Sequence, residues 1–80
     1  GISIPYSRFP LDDDVVAATM RDTGAARTDI LPIGADEVVG LLRAHIDAGI
    51  TKFVLRPMTL RDGWDVELDW LAEHALPLQN

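Results

Sequence analysis

A chain of 80 residues, 48% apolar and 25% charged, suffices for one small folded domain and is too evenly balanced for a disordered segment. The formal net charge of −6, with lysines and arginines dispersed from Arg8 to Arg61, argues against nucleic acid as a partner. No apolar run approaches the ~20 residues of a membrane-spanning helix. There is no cysteine, which excludes disulfides, fits a cytoplasmic location and, with only two histidines, leaves no Cys/His cluster for a structural metal.

Gly1 to Tyr6 predicts a short strand, with Ile2 and Ile4 alternating with Ser3 and with Pro5 lacking a ladder N–H. The chain opens at Gly1 in mid-strand, which reads as the start of a fragment, processed product or excised domain. Tyr6 to Pro10 is loop. Leu11-Asp12-Asp13-Asp14 then predicts a helix start, one aspartate capping it and the others at the positive end of its dipole. Val15, Val16, Thr19 and Met20 follow at helical spacing, and Gly24 is the expected stop. Ala25 to Asp29 fits either a short helical turn or a linker. Ile30 to Ile33 reads as extended, with Pro32 kept from a central ladder position.

The most informative stretch runs from Ile33 to Pro57. From Ala35 to Ala48 a helix sets Val38, Leu41, Leu42, His45 and Ile46 on one face, and Gly49 ends it. Phe53-Val54-Leu55 is apolar on both faces, the pattern of a strand inside a parallel sheet. Asp62 then predicts a capped helix, Asp65 imitating a capping box. Trp64, Leu68, Leu71, Ala72 and Ala75 form its apolar face, Val66 and Trp70 a second strip, and Pro77 its end. The order strand, helix, extended piece, helix, strand, helix is α/β. It suits the last units of a (β/α) barrel or a small α/β layer, and so few strands would leave open edges.

Three pieces together carry a resemblance: Ile33-Gly34-Ala35-Asp36-Glu37-Val38, the helix end Asp47-Ala48-Gly49, and Thr51-Lys52-Phe53-Val54-Leu55-Arg56-Pro57. They resemble the C-terminal end of luciferase-like flavin- or F420-dependent oxidoreductases. The opening Gly1-Ile2-Ser3-Ile4-Pro5-Tyr6 and the closing Trp70-Leu71-Ala72-Glu73 and Leu76-Pro77-Leu78-Gln79 are similar to the F420-dependent branch. The resemblance spans nearly all of residues 1–80, about the last quarter of a barrel of ~250 residues. It departs from the family where Ala35-Asp36 stands for Thr-Pro after Gly34, and the first three quarters of the barrel are absent.

The resemblance implies a (β/α)8 TIM-barrel parent. That parent would use coenzyme F420 or FMN for hydride transfer to, or monooxygenation of, a small organic substrate. The cofactor would carry the redox chemistry, so no residue is assigned as catalytic. The 80 residues alone are expected to bind no cofactor and to be inactive. Their expected partners are the remainder of the barrel, another chain that completes it, or further copies in a homo-oligomer. A small non-catalytic module that self-associates through Trp64 and Trp70 is the competing reading.

In a barrel Arg56 sits at the mouth of the last strand, where its guanidinium can hold a phosphate or acidic substrate; alternatively it pairs with a nearby carboxylate. Gly34 and the helix start after it offer N–H groups to an anion, although Asp36 and Glu37 oppose one and a tight turn also explains the glycine. Tyr6, Ser7 and Arg8 follow the first strand and would line the cofactor or substrate pocket, or else form a solvated loop. Asp12, Asp13 and Asp14 splay in different directions, and capping explains them without a metal. His45 and His74 lack ligand-spaced neighbours and read as core or surface residues. No nucleophile elbow, P-loop or GxGxxG pattern occurs.

Overall fold

A computed structural model describes residues 2–78; Gly1 of the first predicted strand and Gln79 of the tail lie outside the described residues. Two strands, β1 (Ile2–Tyr6) and β2 (Phe53–Pro57), pair in parallel, with Ile2 opposite Phe53 and Tyr6 opposite Pro57. The Ile2 N–H donates to the Lys52 carbonyl (3.1 Å) and the Met58 N–H to the Tyr6 carbonyl (2.8 Å), so the ladder is bonded from end to end.

Four helices accompany this sheet: α1 (Asp13–Met20), α2 (Arg27–Ile30), α3 (Ala35–Asp47) and α4 (Gly63–His74), followed by a 3-10 turn over Leu76–Leu78. Parallel neighbours need a crossover, and α3 supplies it. The result is a small α/β fold built on one β1–α3–β2 unit with α4 added.

The α3 stripe runs as its spacing predicts. Val38 and Leu42 are buried, with Leu41, His45 and Ile46 half-buried beside them. Leu42→Ala would cost about 2–5 kcal/mol in such a setting. Gly49 takes a φ of 96°, the left-handed stop expected of it. The core joins Ile4, Tyr6, Val38, Leu42 and Ala75, with Phe53, Leu55, Trp70 and Leu71 packed around them. Side chains from α3 and α4 meet in this one cluster, so both helices cover the same face of the sheet.

The opposite face departs from expectation. Alternation along the strands puts Ser3, Pro5, Val54 and Arg56 there, and Val54 is 60% exposed. β2 is therefore an edge strand with one apolar residue in the open, not the doubly covered interior strand its composition suggests. An all-apolar Phe53-Val54-Leu55 run signals two covered faces, and among the described residues only one cover is present.

Three further expectations are corrected. α1 ends at Met20, and Asp22 rather than Gly24 takes the left-handed turn (φ 65°), a conformation aspartate tolerates better than most residues. Neither Asp12 nor Asp62 makes a side-chain cap hydrogen bond. On α4 the covered face is turned from the predicted one. Glu67, Trp70, Leu71, His74 and Ala75 face inward, whereas Trp64, Leu68 and Ala72 are exposed. Of the second strip only Trp70 packs, stacking on Tyr6 with ring centroids 5.6 Å apart and planes 3° from parallel, while Val66 is exposed; of the first face Leu71 and Ala75 pack beside it.

Residues 25–33 resolve the segment that the sequence leaves open. Arg27 to Ile30 is one helical turn, after which Leu31 and Pro32 are buried. Ile33 forms a parallel bridge with Ser7: the Ser7 N–H donates to the Pro32 carbonyl (3.1 Å), and the Gly34 N–H to the Ser7 carbonyl (2.8 Å). These bonds leave from the edge of the first strand opposite β2. The Arg27 guanidinium ties the turn down, donating to the Leu31 carbonyl (2.8 Å) and to both Glu37 carboxylate oxygens (2.9 and 3.1 Å).

Candidate functional site

Because β1 and β2 are parallel and in register, their C-terminal ends lie side by side, and the predicted site residues gather around that end. The bridge at Ser7 brings Gly34 and the start of α3 to the same place. Arg56 stands on the bare face, opposite Pro5 in the ladder, and is exposed. Among the described residues it makes no ion pair, so its donors remain open to a ligand.

The other four residues are engaged within the protein. Tyr6 is fully buried on the helix-covered face, in the core rather than in a pocket lining. Its hydroxyl donates to Glu67 Oε2 at 2.5 Å. Burial foremost, then the hydrogen bond and charge of Glu67, push the Tyr6 phenol well above its ordinary value of 10.0. Ser7 is also buried; its hydroxyl donates to the Phe9 carbonyl (2.6 Å) and accepts the Phe9 N–H (3.1 Å), closing a local turn.

Arg8 is the neighbour that pairs with carboxylates. Its Nε donates to Glu67 Oε1 and its Nη2 to Asp62 Oδ2, both at 3.0 Å. Burial opposes its charge, but the two hydrogen-bonded carboxylates more than offset this and raise its pKa. The same guanidinium lies 4.5 Å from the Phe9 ring centre, with that of Arg61 4.0 Å away. Gly34 has a φ of 86°, which only glycine adopts without strain, and its N–H is spent on Ser7. The turn explanation therefore accounts for this glycine.

Glu67 is the residue that sequence reasoning misses. It is 1% exposed and joins Tyr6, Arg8 and, through Arg8, Asp62 into one network at the base of the site. Both oxygens are satisfied, as a buried carboxylate requires. Its partners lie 61 and 59 positions away, so no local pattern announces it. The only hint is Trp70 three residues on, outside the main apolar stripe.

His45 packs against Phe53 (centroids 6.1 Å apart) and His74 against Trp70 (4.9 Å), so both histidines are core neighbours. Among the described residues no three His, Cys, Asp or Glu side chains cluster as metal ligands. No helix among them is long and apolar enough to cross a membrane. Two surface depressions lie elsewhere. One of about 300 Å³, at the opposite end of the sheet, is lined by Ile2, Gly49, Ile50, Thr51 and Lys52. The other, of about 250 Å³, lies along α2 and α3 beside Thr28, Glu37 and Gly40.

The arrangement sets the exposed Arg56 guanidinium, a group chemically suited to an anion, at the strand ends beside the buried Tyr6–Glu67–Arg8 network. No protein-family model, curated protein or solved structure matches the chain.

Proposed function

We propose that this chain is the C-terminal portion of a luciferase-like oxidoreductase barrel, with Arg56 binding an acidic group of F420, FMN or substrate. One observation carries the reading. The β1–α3–β2–α4 succession places both long helices on one face of a parallel sheet and leaves the other bare. That arrangement fits the cross-section of a (β/α) barrel wall, with helices outside and a lumen face inside. A doubly wound sheet would carry helices on both faces.

On this reading Ser3, Pro5, Val54 and Arg56 face the lumen, with Arg56 nearest the end where barrel ligands bind. A cofactor bound there supplies the hydride or oxygen chemistry. This chain's own part is a guanidinium aimed at a phosphate or carboxylate, and the Tyr6–Glu67–Arg8 floor that fixes the strand ends. Strand edges that, among the described residues, are open but for the Ser7–Ile33 bridge, and a half-covered sheet, fit a piece that needs the rest of the barrel for turnover.

The test is the reading frame upstream of Gly1. The full product should be a barrel-sized protein that retains a deazaflavin or flavin, visible by its absorbance, and Arg56→Ala should lower that retention at least about tenfold, the loss of a charge-assisted pair. An upstream frame that closes without a barrel-sized sequence overturns the proposal.

A further inference from the structure

The outward surface of α4 carries an apolar ridge that the fold does not use. Leu60, Trp64, Leu68, Ala72 and Leu76 recur at every fourth position, and all five are exposed, Trp64 by 54% and Leu68 by 56%. Residues four apart stack along one inclined row of a helix. Trp64, Leu68 and Ala72 form such a row on α4, about 12 Å long, and Leu60 before the helix and Leu76 in the 3-10 turn after it are exposed beyond its two ends. On one side runs the row that packs into the core, Glu67, Leu71 and Ala75. On the other runs an acidic row, Asp65, Asp69 and Glu73, each exposed. The nearby Arg61, in the turn before the helix, places its guanidinium over Phe9.

The charges decide what fits. Two copies of α4 packed antiparallel about a two-fold axis would set each acidic row against its own image, since such an interface is self-complementary. Like charges in that register repel, and two molecules of net charge −6 add to the penalty. Trp70 gives a second copy nothing to grip, being half-buried against Tyr6.

We infer that the Trp64–Leu68–Ala72 ridge is a docking surface for an amphipathic helix of a partner polypeptide. The apolar side of that helix covers the ridge, and lysines or arginines along one flank meet Asp65, Asp69 and Glu73. Leu68 and Trp64 are the apolar anchors, and the acidic row sets orientation and selects the partner. The inference does not depend on the cofactor reading.

Two synthetic helical peptides with the same leucine face, one flanked by lysine and the other by glutamate, test it by titration into the intact chain. The indole signal of Trp64 in NMR spectra and sedimentation provide the readouts. The lysine peptide should shift the Trp64 resonance and bind about eightfold tighter than the glutamate peptide, three partly exposed pairs of about twofold each. Leu68→Asp should abolish binding. Reversing the charge of the row in a triple variant (Asp65→Lys, Asp69→Lys and Glu73→Lys) should invert the preference. All four positions are exposed, and an unchanged circular dichroism spectrum shows that the variants fold. Equal binding of both peptides, binding of neither, or a homodimer that masks Trp64 overturns the inference.

Discussion

Two arginine–glutamate pairs hold this small fold together, and they differ mainly in how much water reaches them. Arg8–Glu67 joins the end of β1 to α4, with side chains 11% and 1% exposed, whereas Arg27–Glu37 joins α2 to α3 with 32% and 35% exposed. Distances are alike, 3.0 and 2.9 Å. The buried pair recruits Tyr6 and Asp62, so that both Glu67 oxygens accept a hydrogen bond and Arg8 bridges two carboxylates. Its partner across the molecule caps a loop instead: Glu37 also accepts the Ile33 N–H at 2.8 Å. Contact geometry is therefore a poor guide to energetic weight, and burial of the partner left behind is a better one.

Glu67→Ala should give the largest effect. It strands a buried phenol and a largely buried guanidinium, at a cost of about 3–5 kcal/mol. That is a large share of the ~5–15 kcal/mol a domain has, so denaturant midpoints should fall sharply or the chain should fail to fold. A loss below about 1 kcal/mol would mean that the two pairs are equivalent after all. Tyr6→Phe comes next, at about 1–2 kcal/mol, since Glu67 keeps Arg8 and only one bond is lost.

Alkali sharpens the contrast further. Tyr6 holds its proton more tightly folded than unfolded, so its contribution is complete below pH 10.0 and drains away as pH rises beyond that. Tyr6 is the one tyrosine of the chain, so phenolate absorbance reports it alone. The absorbance should appear together with loss of the circular dichroism signal. Ionisation at an ordinary pH in a still-folded chain would show the phenol to be accessible.

What could be read from the sequence divides along the same line. The α3 stripe of Val38, Leu42 and their neighbours, its stop at Gly49 and both strands follow from local spacing and turn chemistry, and all were legible. The covered face of α4 was not. Trp64 and Leu68 look like a core stripe by periodicity, yet a stripe says only that some surface covers it, not that this chain provides one. Of the site, Arg56 was legible as a cation at a strand end but not whether it pairs within the chain, whereas Tyr6, Ser7 and Arg8 looked like loop and proved to be floor. Their setting is fixed by Glu67, some 60 positions away, and only the folded chain brings the two segments together.

Glu37→Gln should give the smallest effect, and it is the most exacting check on the comparison. Hydrogen bonds from Arg27, then from the Ile33 N–H, outweigh burial and hold the Glu37 carboxyl below its ordinary 4.5. A depressed carboxyl contributes stability above its unfolded value and loses it as pH falls through the folded one. Near neutrality the variant should therefore be less stable by at most about 1 kcal/mol, a half-exposed pair being screened by water. As pH drops below 4.5 the wild-type and variant urea curves should converge, because protonation does to Glu37 what the substitution has already done. The Ile33 N–H can still find the glutamine carbonyl, so the bridge from Ile33 to Ser7 should survive. If the gap instead exceeds that of Tyr6→Phe, or persists in acid, this seam matters more than the buried one, and the ranking by burial fails.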